Sequence, residues 1–161
     1  MPRDFLLLGV MAASVLSFVS IPLSGHISDL IGRRRMYMLG AITVGVFGFV
    51  YFGLMNTGST TLIFLAIVLS LVPHDMMYGP QAAFIAESFT GRLRYSGASM
   101  GYQLASIIAG GPAPLIATAL FAEYKSGYAI AVYILVCAII TLIAAAMMKD
   151  YTGKDIEGEY E

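Results

Sequence analysis

A chain of 161 residues that is 58% apolar and only 12% charged falls well below the charged content of about 25% that keeps a soluble domain dissolved. That composition excludes an ordinary soluble globule, a disordered chain and a collagen-like one. A formal net charge of −1 offers a nucleic acid no electrostatic footing.

The charges are also clustered: residues 5–28, 36–74, 95–122 and 126–148 contain no Asp, Glu, Lys or Arg. An apolar run of about 18 or more residues crosses the hydrocarbon core as a helix. The fold class is therefore all-α, a polytopic membrane helix bundle with five transmembrane helices, solvated by a lipid bilayer. The first span is expected over 5–23. It is not a signal peptide, because its basic region is Arg3 beside Asp4 and no clean cleavage pattern follows Ser20. The second covers 36–55 and stops at Asn56-Thr57-Gly58. The third, 61–86, is interrupted by Pro73-His74-Asp75 and Gly79-Pro80. Its length at 1.5 Å per residue is about 39 Å, so it must tilt or kink. The fourth, 98–122, is broken at Gly110, Gly111, Pro112, Ala113 and Pro114, a hinge or broken helix. The fifth covers 128–148. Residues 149–161 form a polar tail, expected to be disordered. The lone Cys137 cannot form an intrachain disulfide.

Positive charge orients the bundle. With the N-terminus outside, seven of the nine basic residues fall on the cytoplasmic side: Arg33, Arg34, Arg35, Arg92, Arg94, Lys149 and Lys154. Only Arg3 and Lys125 fall outside, so the expected topology is N-terminus external and C-terminus cytoplasmic, multi-pass in a cell membrane. An odd number of spans starting outside points to a missing upstream part.

Two segments near these charges carry a family resemblance. The first reads Gly25-His26-Ile27-Ser28-Asp29-Leu30-Ile31-Gly32-Arg33-Arg34-Arg35. It resembles the G-x-x-x-D-[RK]-x-G-[RK]-[RK] loop of the major facilitator superfamily. Gly25, Asp29, Gly32, Arg33 and Arg34 match, and Leu30 stands where a basic residue is usual. Glycines permit a tight turn and close helix approach, and Asp29 can cap a neighbouring helix or pair with an arginine. A merely basic topogenic loop is the alternative. The second segment runs from Tyr78-Gly79-Pro80-Gln81 through Glu87, Arg92-Leu93-Arg94-Tyr95 and Gly101-Tyr102-Gln103 to Gly110-Gly111-Pro112-Ala113-Pro114. It resembles helices ten and eleven of the metabolite:proton symporter branch, which includes shikimate, α-ketoglutarate, citrate and proline/betaine permeases. The resemblance implies that the five spans are helices eight to twelve of a twelve-helix transporter, with the N-terminal half as an absent partner.

Ionisable groups within a span are costly and mark function. His74 and Asp75 are the candidates here. His74, Tyr78, Gln81 and Ile85 share one helix face, and Asp75, Gly79, Ala82 and Ala86 the adjacent small one. The first suits a substrate cavity and proton coupling; the second suits close packing. His74 and Asp75 could instead simply pair between helices. On the fourth span, Ser99, Gln103, Ser106 and Gly110 form a stripe beside Tyr102, able to hydrogen-bond an organic substrate or merely to pack. Glu87 and Arg94 stand in an E-x6-R spacing, with six residues between them; the resemblance implies that such a pair joins Asp29 and Arg33 in a charge network closing the inner gate, and the alternative is a solvated surface pair. The second and fifth spans hold no ionisable residue and fit lipid-facing supports. No cluster has metal-ligand spacing, no phosphate-binding loop supports ATP-driven transport, and no cofactor is implied. No nucleophile and base come together, so the chain is not expected to be an enzyme. The expected function is the C-terminal part of a secondary transporter moving a small organic metabolite, a carboxylate or betaine-like solute, together with protons. The alternative is a non-transporting membrane scaffold or regulator derived from a truncated carrier.

Overall fold

The computed structural model describes residues 3–153, among which helices are the only regular secondary structure. Helix α1 spans Arg3–Ile31, α2 Arg33–Asn56, α3 Thr60–Leu69 and α4 Leu71–Ala86. Then come α5 at Arg94–Ala105, a π-helical turn at Ser106–Gly110, α6 at Ala113–Tyr124 and α7 at Gly127–Met147. Helices α3 and α4 make one span, as do α5 and α6, so five helical rods are long and apolar enough to cross a membrane.

The segment read as the first loop is helix. Helix α1 runs to Ile31, and a single residue, Gly32, separates it from α2. Gly32 has φ 102°, a conformation nearly closed to residues with a Cβ, so the whole reversal is compressed into one position. The interruption of the third span also falls elsewhere. It lies at Ser70 rather than at Pro73, because a proline deletes the donor to the carbonyl four residues earlier, that of Leu69, and α4 runs through Gly79-Pro80 without a break. Pro73 itself sits in the first turn of α4, where no donor is needed. In the fourth span, Pro112 and Pro114 leave the carbonyls of Ile108 and Gly110 without their usual donors. The backbone widens there, with the Gly111 amide donating to the Ser106 carbonyl at 3.1 Å.

Packing relies on small residues. Helix α2 lies between α4 and α7 and contacts both extensively. Its buried positions are Met36, Gly40, Ala41, Gly45 and Gly48. Ala131, Ala138 and Ala145 of α7 are buried seven residues apart, with Ala138 against Gly45 and Ala131 against Gly48. Dispersion gained at short separation replaces the hydrophobic effect that lipid cannot supply. The second span is thus the hub of the five rods. It also keeps an outer apolar stripe at Leu39, Ile42, Val46 and Val50. Helices α5 and α6 have no buried residue at all.

The segment expected to be disordered begins with an ordered stretch: residues 148–153 fold back against the Gly32 bend, where the Arg33 amide donates to the Thr152 hydroxyl at 2.9 Å. The remainder, 154–161, lies outside the described residues.

Candidate functional site

Two faces of α4 define the site. Asp75 is 1% exposed and points toward α1. Its Oδ2 accepts from the Ser17 hydroxyl at 2.7 Å and from the Ser20 hydroxyl. Its Oδ1 lies 3.3 Å from His74 Nδ1. A carboxyl in such a setting has polar partners but no full-time cation, since a histidine carries charge only when protonated. One turn on, α1 and α4 touch backbone to backbone. A Cβ on Gly79 would fall 2.8 Å from both the Gly25 nitrogen and the Ile21 oxygen, so only glycine allows this approach. That closeness brings the α1 serines to Asp75.

The other face opens into space. A cavity of about 480 Å³ is bordered by Ser14, Ser17, Phe18, His74, Asp75 and Tyr78, among others. A second, of about 330 Å³, is bordered by His74, Tyr78, Gln81, Ile85, Tyr102 and Ser106 together with small residues of α5. His74 and Tyr78 border both, and their rings stack at 5.4 Å. The Tyr102 hydroxyl donates to Gln81 Oε1 at 3.4 Å. The structure thus gathers His74, Tyr78, Gln81, Tyr102 and Ser106 at one cavity, and Asp75 behind it. Gln103 is exposed on α5 and borders neither cavity. Gly110, Gly111, Pro112 and Pro114 mark the widened turn and the start of α6.

Ser17 and Ser20 are the residues that sequence reasoning passed over. Their signal was present: Ser14, Ser17, Ser20, Ser24 and Ser28 recur at three- and four-residue steps along an otherwise apolar helix, which is one face. Ser17 and Ser20 are half-buried, and Ser24 and Ser28 are buried.

At the arginine-rich end, Arg33 is the centre. Its guanidinium donates to Asp29 Oδ1 at 2.9 Å through Nη2 and 3.1 Å through Nε, and it pairs with Glu87 from the end of α4. Gly25 and Gly32 supply the close contact and the bend on either side. The structure does not join Arg94 to Glu87: among the described residues the ion pairs are Arg33–Asp29, Arg33–Glu87 and His74–Asp75. The Nε and Nη2 of Arg94, and Oε2 of Glu87, are buried without a partner there. Arg34 turns instead to the Ala146 carbonyl of α7, at 2.7 Å. Near it, burial pushes the Asp150 carboxyl up. Hydrogen bonds from Thr152 and from the Arg34 amide, with the Arg34 charge, outweigh that and leave it below its ordinary 3.8. Among the described residues no three His, Cys, Asp or Glu side chains gather as metal ligands.

Five apolar rods, a carboxyl buried between two of them and a cleft beside it bordered by His74, Tyr78, Gln81 and Tyr102 define a polytopic helical membrane protein. The chain belongs to the Major Facilitator Superfamily, whose family model matches residues 4–159. It is 35% identical over 153 residues to a shikimate transporter of Escherichia coli K12, an alignment covering 93% of this chain and 35% of that protein. The inner membrane metabolite transport protein YhjE of the same organism is 33% identical over 151 residues, covering 93% and 34%. A proline/betaine transporter, also from that organism, is 27% identical over 137 residues, covering 85% and 27%. The chain spans about a third of the length of the curated relatives it matches. No solved structure matches it.

Proposed function

We propose that the chain forms one wall of the translocation cavity of a proton-coupled secondary transporter for a small organic metabolite, a carboxylate or a betaine-like solute. The observation that carries this reading is Asp75: a buried carboxyl held by two hydroxyls and touched by a histidine that borders both cavities. An ionised carboxyl is costly to carry through hydrocarbon unless paired or protonated. His74, its side chain largely exposed, offers a route by which a proton passes between the cavity and Asp75. When Asp75 is protonated it becomes a donor, and one of the Ser17 and Ser20 hydroxyls can rotate to accept while the other still donates. Proton state and local packing are thereby linked. Tyr78, Gln81, Tyr102 and Ser106 offer hydroxyl and amide groups to a solute in the adjoining cavity.

In this reading the N-terminal end of α1 faces outside and the Gly32 end faces the cytoplasm, as the distribution of basic residues supports. The Arg33 contacts to Asp29 and Glu87 would then form when the inner side closes and break when the two halves rock open. Such a cycle needs a second half, supplied by a chain of the length of the relatives. The test is uptake by proteoliposomes containing the restored full-length protein, with a panel of carboxylates and betaines, with and without an imposed pH gradient. Concentrative uptake of one solute that follows the pH gradient is expected. Uptake of every solute unchanged by the gradient would dismiss proton coupling, and no uptake by verified, folded protein would favour the scaffold reading.

A further inference from the structure

Helix α2 begins at Arg33 without a capping side chain of its own. Gly32 occupies the N-cap and offers none. Asp29 is spent on Arg33, one turn back in α1. The first amides of a helix are orphan donors and carry the positive end of its dipole. Here their acceptor comes from the far end of the chain. The Thr152 hydroxyl oxygen receives the Arg33 amide at 2.9 Å, across 119 residues of sequence. That hydroxyl in turn donates to Asp150 Oδ1 at 2.6 Å, and the Thr152 amide donates to the same oxygen at 3.1 Å. Asp150 Oδ2 stands 2.9 Å from where a Cβ on Gly32 would be. The carboxylate therefore fills the space that the missing side chain leaves at the bend. Arg34, bonded to the Ala146 carbonyl, ties the next residue of α2 to the end of α7.

This arrangement fixes more than a helix end. The amide that Thr152 receives belongs to Arg33, whose guanidinium spans Asp29 and Glu87. Arg33 is the first residue of α2, so the rotational phase of that first turn decides where its guanidinium points. We propose that Asp150 and Thr152 are positioning residues that cap α2 in trans and thereby set Arg33 in its bridge between α1 and α4. As a gating role, this rests on the reading of that bridge as the inner gate. As a structural claim, it does not. Removal of the cap frees the Arg33 amide, loosens the first turn and weakens the bridge to Glu87, while the core between α2 and α7 is left intact.

The experiment measures two quantities that do not require transport. Hydrogen–deuterium exchange is followed in the membrane-embedded protein at the amides of residues 33–36, with residues 131–138 as the internal control. Maleimide labelling is followed at Ala86→Cys, beside Glu87, in a Cys137→Ala background. Thr152→Val keeps the shape of the side chain and removes its acceptor and donor. Loss of an N-cap shifts a local opening equilibrium about fivefold. Exchange at 33–36 is expected to rise about fivefold and labelling of Ala86→Cys to rise with it, while 131–138 stays unchanged. Thr152→Ser restores both, because it keeps the hydroxyl. Asp150→Asn carries the same prediction in weaker form and replaces Thr152→Val if that variant does not insert. Unchanged exchange at 33–36 in both variants would overturn the cap. Faster exchange with unchanged labelling would overturn the positioning of Arg33. If cap loss speeds both while full-length protein never transports, the carrier reading fails and the cap stands.

Discussion

The contact between α1 and α4 and the rod formed by α5, the π turn and α6 are both membrane-spanning, yet they are built on opposite terms. At the first, glycine backbones touch, Asp75 and Pro80 are almost wholly enclosed, and a polar cluster is held by three named partners. Along the second, no residue is buried as a whole, the ladder is widened at Ser106–Gly110, and the helix resumes only after Pro112. The difference shows where the chain has completed its packing and where it presents a surface. A dense interface can hold a carboxyl in a fixed setting, whereas an unburied, broken rod can shift without disturbing a core.

The sharpest way to break this comparison is to add one methyl group to each region. Gly79→Ala places a Cβ 2.8 Å from two backbone atoms of α1, which must separate the helices. A cost of about 3 kcal/mol, at the upper end for overpacking, is expected, seen as a fall in thermal stability and loss of correctly inserted protein. Gly101→Ala meets nothing within 4 Å, and relief of glycine's helix penalty should stabilise α5 by up to about 1 kcal/mol. Equal responses at the two sites would erase the distinction.

Next in size is the polar cluster. Ser17→Ala or Ser20→Ala removes a donor to a buried carboxyl, at an expected cost of about 1–3 kcal/mol in each case. Ser106→Ala removes only a bond to the Tyr102 carbonyl of its own helix, and its stability should change by less than about 0.5 kcal/mol. Thermal denaturation of the three variants in one lipid composition checks the ranking.

How much of this could be read in advance follows the same division. Five membrane-crossing rods were legible because hydrocarbon tolerates almost no charge, so long apolar runs stand out. The two faces of α4 were legible because helical periodicity puts His74, Tyr78, Gln81 and Ile85 in one row, and those four border one cavity. The serines on α1 were not singled out, since a small polar residue on a membrane helix usually marks packing, and only the position of Asp75 gives Ser17 and Ser20 their meaning. The break at Ser70 was misplaced because a proline acts on the carbonyl a turn before it. The order at Asp150 and Thr152 had no local signature at all, because their partner lies more than a hundred residues away in sequence. Arg94, expected beside Glu87 from the E-x6-R spacing and the family resemblance, is displaced by Arg33, which the bend at Gly32 carries to the same place.

The smallest expected effect concerns pH at the arginine-rich end. Asp150 is held below its ordinary 3.8, so its contribution to docking residues 148–153 is complete above pH of about 4 and is lost as pH falls through its folded value. Around it stand Arg34 and the Thr152 hydroxyl and amide. Exchange of the Arg33 amide, corrected for its intrinsic pH dependence, should stay flat between pH of about 5 and 8 and rise only in stronger acid. The α5–α6 rod, which has no acidic residue before Glu123, should show no such change along its membrane-spanning length.

The central claim is that the enclosed carboxyl, and not the exposed rod, ties proton movement to solute movement. Asp75→Asn tests it most directly, because asparagine keeps the size and one acceptor of the side chain and cannot take up a proton. In full-length protein reconstituted to equal inserted amounts, two rates are compared: accumulation of substrate driven by a pH gradient, and exchange of labelled for unlabelled substrate at equilibrium. The account predicts that accumulation is lost and exchange persists. Normal accumulation by Asp75→Asn against a substrate gradient would contradict it.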